Sequence, residues 1–301
     1  MKNLLKMMDL TSGEITEILD LADKLKQEKK ESIQHHLLKG KTLGMIFNKP
    51  STRTRVSFEV GMYELGGTAL YLNSKELQLG RGEPIEDTAR VLSRYLDAIM
   101  IRTFSQQEVE ELAAHSTIPV INGLTDYCHP CQVLADLMTI REYKGGFEGL
   151  KLCYVGSGNN MANALIVGGI KTGMEVSAAC PGGCEPALEI IDWAESHGDF
   201  ILTDNCREAA RDADVICTDT WISMGQEAEA ASLVEKLKNY QVNEELLEAA
   251  KKDAIVLHCL PAYRGREITA SVFEKHSGEI FDEAENRLHV QKAVLVKCMA
   301  G

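Results

Sequence analysis

The chain has 301 residues, of which 45% are hydrophobic and 26% are charged, so it has the composition of an ordinary globular protein and the length of two domains. Its formal net charge of −13 repels nucleic acid and anionic membranes, and we expect neither as a partner. The sequence has no apolar run of about eighteen residues and no N-terminal signal peptide pattern, which predicts a cytosolic protein.

The first half of the chain alternates between strand and helix patterns. A first helix is predicted where Thr11 and Glu14 form a capping box ahead of an apolar stripe that begins at Ile15. This alternation is typical of a parallel α/β domain. The predicted strands are 42–47, 68–72, 98–101 and 119–122, and the predicted helices are 56–65, 85–94, 109–114 and 131–143.

A glycine-rich segment, residues 144–149, separates this half from a second α/β series. We predict two parallel-sheet α/β domains, 1–143 and 150–286, with the active site in the cleft between them. The segment 287–301 is predicted to be a helix that closes onto the first domain. The predicted strands of the second domain are 152–155, 175–179, 200–203, 215–218 and 254–258.

Five consecutive residues, Ser51 to Arg55, have the sequence S-T-R-T-R between a predicted strand and a predicted helix. This arrangement places three hydroxyls, two guanidiniums and unpaired backbone N–H groups at a helix N-terminus, where the helix dipole favours an anion. Arginine adds a planar fork that matches phosphate oxygens. The run therefore predicts a phosphate site, although a polar helix cap with one surface arginine would also explain part of it.

Other reactive side chains follow predicted strands in the same way. Arg102 follows the strand 98–101, His129 follows 119–122, Asp219 follows 215–218 and Cys259 follows 254–258. In parallel α/β sheets, ligands bind at the carboxyl ends of strands, so these residues predict one site. Three of them also have a simpler explanation, since a lone histidine is usually structural, an aspartate often caps a turn and a buried cysteine is usually inert.

Two further patterns have competing interpretations. The turn Gly156-Ser157-Gly158 resembles the start of a dinucleotide-binding turn, but Met161 replaces its third glycine and no acidic residue ends the next strand. Asn159 and Asn160, directly after this turn, could cap a helix or bind a carboxylate. A nicotinamide-dependent oxidoreductase is therefore a weak alternative.

Nine cysteines match no zinc spacing, and we predict no metal site. The pair Cys128 and Cys131 has the C-x-x-C form of redox proteins, but no thioredoxin-like pattern surrounds it. We interpret most of the other cysteines as reduced core thiols.

Four motifs, taken together, resemble those of the transcarbamoylases and, within that superfamily, of the ornithine carbamoyltransferases. The resemblance spans nearly the whole chain, with the motifs in the family's order. Aspartate-specific relatives differ at the last motif, and putrescine-specific relatives differ in the S-M-G loop. The motifs are S-T-R-T-R at 51–55, H-P-C-Q at 129–132, D-T-W-I-S-M-G at 219–225 and H-C-L-P at 258–261.

The resemblance implies a role for each matching residue. Arg102, His129 and Cys259 would be catalytic, and Cys259 would lie beside the reacting amine. One departure is Ser157, where relatives commonly carry aspartate; we expect it to affect the geometry of the loop more than the chemistry. The implied ornithine ligands are Asn160, Asp219, Ser223 and Met224. The implied carbamoyl phosphate ligands are Ser51, Thr52, Arg53, Thr54, Gln78, Arg102, His129, Gln132, Cys259, Leu260 and Arg287, with Gln78 serving a neighbouring subunit's site.

The implied reaction transfers the carbamoyl group of carbamoyl phosphate to the δ-amine of L-ornithine, giving L-citrulline and phosphate by direct amine attack through a tetrahedral intermediate. The resemblance implies an enzyme of arginine metabolism that uses no cofactor and assembles as a homotrimer or as a higher assembly of trimers. A transcarbamoylase for a related amine such as putrescine is the main alternative. A non-catalytic relative would be expected to lose ligand residues, and all of them are present.

Overall fold

The computed structural model describes residues 1–78, 82–222, 228 and 230–300. The chain forms two compact units. Unit 1 comprises Met1–Leu134 and Arg287–Gly301, and unit 2 comprises Ala135–Asn286. Each contains one parallel β-sheet with helices between its strands, as the alternating sequence pattern predicted. In the described part of the chain, no helix combines the length and apolarity needed to cross a bilayer.

Unit 1 has a four-stranded sheet in the order β2-β1-β3-β4. The two inner strands are buried because they carry near-continuous apolar runs, which is usual for a parallel sheet covered on both faces. Phe47, at the end of β1, is paired in register with Arg102, at the end of β3. This register brings the segment that follows β1 beside Arg102. The strands are β1 (Thr42–Phe47), β2 (Thr68–Asn73), β3 (Ala98–Arg102) and β4 (Val120–Leu124).

Unit 2 has a five-stranded sheet in the order β7-β6-β5-β8-β9. Thr218, at the end of β8, is in register with Val155 of β5 on one side and with His258 of β9 on the other. The residues that follow these three strands therefore share one edge of the sheet. The strands are β5 (Lys151–Val155), β6 (Glu175–Ala179), β7 (Phe200–Thr203), β8 (Val215–Thr218) and β9 (Ile255–His258).

The helices begin where the sequence supplies side-chain caps. Thr11 and Glu14 form the predicted capping box at the start of the first helix. In unit 2, Asn159 caps a helix whose side chains are nearly all buried. The helices are α1 (Ser12–Lys30), α2 (Thr52–Glu64), α3 (Ile85–Leu92), α4 (Gln106–His115), α5 (Pro130–Lys144), α6 (Asn160–Lys171), α7 (Leu188–His197), α8 (Cys206–Ala210), α9 (Ala230–Leu237), α10 (Glu244–Leu247), α11 (Ala270–Lys275) and α12 (Ser277–Met299).

The predicted strands are all present, with ends shifted by a residue or two. The largest differences lie at helix starts. Helix α2 begins at Thr52, earlier than the predicted Val56, because Ser51 caps it and the S-T-R-T residues are helical. Helix α12 begins at Ser277, before the predicted start at Arg287.

The border between the two compact units falls between Leu134 and Ala135, inside α5, and not in the glycine-rich segment 144–149. The chain returns to unit 1 at Arg287, inside α12. Compact units are defined by packing and not by the substrate that each part binds. The functional domain limits 1–143, 150–286 and 287–301 therefore stay predictions.

Candidate active site

The loop between β1 and α2 is held against the end of β3. The backbone N–H of Asn48 donates to the carbonyl of Arg102 at 2.8 Å. Ser51 then has an extended backbone, and its Oγ accepts a hydrogen bond from the N–H of Thr54 at 3.2 Å. This cap fixes the first turn of α2, so the S-T-R-T-R run forms the N-terminus of a helix as predicted.

Thr54 links the two halves of a cluster of arginines. Its side chain is buried, and its Oγ1 accepts from Nη1 of Arg102 at 3.4 Å and from Nη2 of Arg287 at 3.3 Å. On the other side, Nη1 of Arg287 donates to Oε1 of Gln132 at 2.7 Å. The cluster therefore joins four of the predicted ligands, which come from α2, β3, α5 and α12.

Arg287 is further held from within its own helix by Gln291, which lies one turn later and is fully buried. With the amide oriented to satisfy its neighbours, the Gln291 oxygen accepts from Nε and Nη2 of Arg287 at 3.1 and 2.8 Å, and its nitrogen donates to Ser57. Gln291 belongs to no recognised motif and was not among the predicted site residues. Its only signal was its place four residues after Arg287 on a predicted helix.

His129 is buried in the same region. Burial lowers its pKa well below the usual value, and the nearby charges of Arg287, Arg102 and Arg53 lower it further. The imidazole is therefore neutral at physiological pH, with one N–H donor and one acceptor. Its Nδ1 is buried and has no hydrogen-bond partner within the described ranges of the chain. A buried polar atom of this kind fits a residue that completes its bonding with a ligand.

The charge of this region is unusual for the protein. Three guanidiniums lie close enough to His129 to lower its pKa, in a chain whose net charge is −13. A dianion at the N-terminus of α2 would offset them. Among the residues with described positions, no group of three or more His, Cys, Asp or Glu side chains could hold a metal ion.

Three predicted ligands of unit 1 lie at its surface. Thr52 is exposed in the first turn of α2, and Arg53 follows it with an exposed side chain. Gln78 is exposed, and its backbone carbonyl accepts from the N–H of Glu83. No contact between Gln78 and the arginine cluster is present among the described hydrogen bonds.

In unit 2, Asp219 is the centre of a second polar cluster. One carboxylate oxygen, Oδ1, accepts from the N–H of Thr220 at 2.7 Å and from the thiol of Cys259 at 3.0 Å. The other oxygen, Oδ2, accepts from Nδ2 of Asn159 at 2.8 Å. These residues follow β8, β9 and β5, which are the three strand ends that the sheet register places side by side.

The thiol of Cys259 is a hydrogen-bond donor in this cluster. Burial raises its pKa well above the ordinary value, and the negative charge of Asp219 acts in the same direction. Cys259 is therefore protonated at physiological pH. A thiol in this state is a poor nucleophile, which fits the predicted positioning role and does not fit covalent catalysis.

The two neighbouring asparagines, Asn159 and Asn160, occupy different positions at the start of α6. Asn159 is the N-cap of α6, and Asn160, the predicted ornithine ligand, is the first residue of that helix and is buried. The contact from Asn159 to Asp219 was not anticipated, because the sequence left open whether either asparagine caps or binds. Ser157, the departure from the family pattern, has a carbonyl that accepts from the hydroxyl of Tyr154 at 2.8 Å.

The glycine turn is filled by the protein's own backbone. A Cβ on Gly158 would lie 2.1 Å from the carbonyl carbon of Glu185 and from the nitrogen of Pro186. The N–H of Gly158 donates to the carbonyl of Cys184 at 2.7 Å. The glycine is therefore explained by close packing of the segment 184–186, and not by the approach of a pyrophosphate.

The segment after β9 is fixed by a buried pair. Leu260 has a left-handed backbone with φ of 58°, and its N–H donates to Nδ1 of His258 at 2.9 Å. Since Nδ1 of His258 accepts a hydrogen bond, Nε2 carries the ring proton. Nε2 donates to Oε1 of Glu267 at 3.2 Å. This arrangement sets the direction of the Leu260 peptide. The contribution of Glu267 could not be read from the H-C-L-P motif.

Two predicted ornithine ligands, Ser223 and Met224, lie outside the described residues. The structure therefore joins Asp219 and Cys259 directly and places Asn160 beside Asn159. The roles assigned to all of these residues stay predictions.

The C-x-x-C pair is not a redox site of the usual kind. Cys128 and Cys131 are both buried free thiols. Burial raises the pKa of Cys128 to about 12 and that of Cys131 to about 11. Redox-active cysteines need a lowered pKa, so these two are core residues that flank His129.

Comparison with known proteins gives matches along the whole chain. Residues 2–142 match the family description "Aspartate/ornithine carbamoyltransferase, carbamoyl-P binding domain", and residues 148–298 match "Aspartate/ornithine carbamoyltransferase, Asp/Orn binding domain". An ornithine carbamoyltransferase of Oceanobacillus iheyensis is 55% identical over 99% of this chain and 94% of its own.

Solved structures agree with these matches. The ornithine carbamoyltransferase of Pyrococcus furiosus is 53% identical, with a TM-score of 0.95 over 100% of this chain and 97% of that one. The anabolic ornithine carbamoyltransferase of Campylobacter jejuni is 42% identical, with a TM-score of 0.94 over 99% of both chains. The chain therefore belongs to the aspartate/ornithine carbamoyltransferase family.

Proposed function

We infer that this chain catalyses the transfer of the carbamoyl group from carbamoyl phosphate to the δ-amine of L-ornithine, forming L-citrulline and phosphate. The observation that carries the inference is the cluster of Thr54, Arg102, Arg287 and Gln132 around a neutral His129 in a family of this activity. The relatives that share more than half of the sequence are named for ornithine, which favours ornithine over aspartate and putrescine.

Carbamoyl phosphate binds at the N-terminus of α2. Ser51, Thr52, Arg53, Thr54 and Arg102 hold the phosphate, where the helix dipole and the cations favour a dianion. This proposal is supported by the cap at Ser51 and by the contact between Thr54 and Arg102.

The carbonyl oxygen of carbamoyl phosphate is polarised by Thr54, Arg102 and His129. The lowered pKa of His129 supports a neutral imidazole that donates a hydrogen bond and transfers no proton. Gln132 and the Leu260 carbonyl orient the carbamoyl nitrogen, and Arg287 completes this subsite. Cys259 is also proposed to contact carbamoyl phosphate.

Ornithine binds through its α-amino and α-carboxylate groups to Asn160, Asp219, Ser223 and Met224. The carboxylate of Asp219 suits the α-ammonium group. The protonated thiol of Cys259 lies beside the δ-amine and orients it without reacting. The 3.0 Å contact between Cys259 and Asp219 supports a single site for the amino acid.

The reaction is a direct displacement. The lone pair of the neutral δ-amine forms a bond to the carbamoyl carbon, and the C=O π electrons move onto the oxygen. The tetrahedral intermediate collapses, the bond between carbon and the phosphate oxygen breaks, and phosphate leaves with the amine proton. Each key donor to the developing oxyanion contributes about 3–4 kcal/mol. Orientation of the two substrates contributes a further ~7–11 kcal/mol.

We also propose that the active assembly is a trimer, or a higher assembly of trimers, in which Gln78 serves a neighbour's site. The exposed side chain of Gln78 supports this, as do the exposed apolar residues Leu70, Val91 and Tyr95 on either side of it in the sequence. Mixing inactive Arg53→Ala and Gln78→Glu subunits should restore activity at some interfaces. Activity that stays at parental levels after verified subunit exchange would contradict a shared site. The cytosolic location stays a prediction.

The function is tested by incubating the purified protein with carbamoyl phosphate and L-ornithine and measuring citrulline and phosphate. We expect both products in equal amounts. Reactions with L-aspartate in place of ornithine are the control and should release phosphate only at the rate of spontaneous hydrolysis. The proposed function fails if citrulline does not form at millimolar substrate concentrations.

A further inference from the structure

Asn159 has two separate tasks in unit 2. Its Oδ1 accepts from the backbone N–H groups of Met161 and Ala162 at 2.9 and 3.2 Å, which caps helix α6. Its Nδ2 donates to Oδ2 of Asp219 at 2.8 Å. The orientation of the amide is fixed, because only its oxygen can accept from the helix N–H groups and only its nitrogen can donate to a carboxylate.

The contact with Asn159 determines how the Asp219 carboxylate is turned. Thr220 and Cys259 both donate to Oδ1, so they hold one oxygen and leave the carboxylate plane able to rotate about it. Asn159 donates to Oδ2 and removes this freedom. Among the residues with described positions, the orientation of the carboxylate plane therefore depends on the Asn159 amide.

The support behind Asn159 is rigid. It caps α6, a helix whose residues are nearly all buried. The turn before it is held by the hydroxyl of Tyr154, a buried residue that donates to the Ser157 carbonyl at 2.8 Å. The position of the Asn159 amide is thus set by the core of unit 2. Through its hydrogen bond to Oδ2, this amide fixes the orientation of the Asp219 carboxylate.

The residue type is informative. Asn, Asp and Ser are about equally good helix N-caps, so capping alone does not require asparagine. Aspartate has no donor for Asp219, and the serine hydroxyl is one bond closer to the backbone than the amide nitrogen that contacts Asp219. Of the three, asparagine alone combines a cap acceptor with a donor that reaches Asp219.

We propose that Asn159 is a positioning residue for ornithine recognition. Its amide N–H orients the Asp219 carboxylate toward the α-ammonium group of the substrate, and this task is separable from capping α6. The proposal rests on the proposed function and adds a residue to it. Asn159 itself is not required to touch ornithine.

Because capping and positioning use different atoms, substitutions can separate them. Asn159→Ser keeps a cap and removes the amide N–H that donates to Asp219. Asn159→Asp keeps a cap and places a second carboxylate against Asp219. Asn243 caps α10 by accepting from the N–H of Leu246 at 2.9 Å, and Asn243→Ser is the matched control for an Asn-to-Ser change at a cap.

The measurements are the KM for ornithine, the KM for carbamoyl phosphate, kcat and the thermal midpoint. For Asn159→Ser we expect the ornithine KM to rise about 10- to 100-fold, the loss of one hydrogen bond to a charged group. The carbamoyl phosphate KM should stay within about twofold and the thermal midpoint within about 2 °C. Asn159→Asp should raise the ornithine KM further, because the two carboxylates repel. Asn243→Ser should change neither KM.

An ornithine KM within about twofold of the wild type in Asn159→Ser or in Asn159→Asp would overturn the proposal. So would a parallel rise of both KM values with a lowered thermal midpoint, since that pattern belongs to a damaged helix cap. The proposed function is tested separately by the wild-type protein. If the wild type forms no citrulline, the function fails before any variant is measured.

Discussion

The two polar clusters of this protein contain charged groups of opposite sign. In unit 1, cationic side chains act on a neutral histidine, and the hydroxyl of Thr54 that links Arg102 and Arg287 carries no charge. In unit 2, a single carboxylate, Asp219, is held by an amide, a backbone N–H and a thiol. The arginines of unit 1 therefore favour a neighbouring anion, and the carboxylate of unit 2 favours a neighbouring cation.

This difference matches the two substrates of the proposed reaction. Carbamoyl phosphate is a dianion and suits the guanidiniums of unit 1, while the α-ammonium of ornithine suits the carboxylate of Asp219. Neutral donors fix the direction of Asp219 without cancelling its charge. The four predictions that follow separate the contributions of the two clusters.

The largest expected effect concerns the amino acid substrate. Putrescine lacks the α-carboxylate and would leave polar groups of the ornithine site unpaired. A site built to hydrogen-bond a group can reject an analogue without it by about 10⁴. We therefore expect kcat/KM for ornithine to exceed that for putrescine by about this factor. The two kcat/KM values are measured from the rates of citrulline and carbamoylputrescine formation. Comparable values would show that unit 2 does not recognise the α-amino and α-carboxylate groups of ornithine.

The next effect tests the cationic cluster of unit 1. Arg53→Ala removes a charged donor from a bound dianion, and we expect kcat/KM for carbamoyl phosphate to fall on the order of 10²–10³. Arg55→Ala, two residues away, is the matched control. Arg55 pairs with Glu59 at 2.9 Å and lies over the ring of Tyr71, so its loss should change activity by no more than about twofold.

Equal losses in the two variants would mean that the S-T-R-T-R run acts through the stability of the helix or of the assembly. Near-normal activity of Arg53→Ala would show that the phosphate does not bind at the N-terminus of α2. Thermal midpoints and the oligomeric state of both variants distinguish these outcomes from unfolding.

Much of this fold could be predicted because its signals are local. The inner strands β1 and β3 are continuous apolar runs, and a capping box starts α1. Reactive residues at strand ends could be grouped from the sequence, because parallel strands bring their carboxyl ends to one edge. This rule correctly brought Arg102 together with the S-T-R-T-R run, and Asp219 with Cys259.

The remaining features depend on contacts between distant parts of the chain. Nothing local to Arg287 indicates that it reaches Thr54 and Gln132, so its role came from the family resemblance alone. The second task of Asn159 was hidden because a cap and a positioning residue have the same sequence signature. The border between the compact units lies inside α5, and a helix carries no composition change where its packing partners change, so packing borders of this kind have no sequence signal.

A smaller loss is expected on removing the thiol of Cys259. Its raised pKa keeps it protonated, so it acts as a donor to Asp219 and not as a nucleophile. Cys259→Ala should lower kcat about 10- to 100-fold and leave measurable activity, in line with one lost hydrogen bond to a charged group. Mass spectrometry during turnover should find no carbamoyl group on Cys259. A carbamoylated thiol would contradict direct attack by the amine, and complete loss of activity in a folded variant would contradict the positioning role of Cys259.

The smallest effect is on stability and concerns His129. Its pKa in the folded protein is lowered by burial and by Arg287, Arg102 and Arg53, while the unfolded chain titrates at about 6.5. As the pH falls through about 6.5, the His129 imidazole is protonated in the unfolded state but stays neutral in the folded state. Stability is therefore present above this pH and lost below it, with a slope of up to about 1.4 kcal/mol per pH unit.

His129→Gln removes this titration and should lose less stability than the wild type between about pH 7.5 and about pH 5.5. The measurement is the shift of the thermal midpoint between the two pH values, where 1 kcal/mol corresponds to about 2–4 °C in a protein of this size class. His197→Gln removes an exposed imidazole of α7 and controls for the loss of a histidine. The other titrating groups are common to the two proteins, so their contributions cancel in the difference. Equal shifts in wild type and His129→Gln would mean that the imidazole takes up a proton within the fold. The cationic cluster of unit 1 would then not hold His129 neutral, and the contrast with Asp219 would be lost.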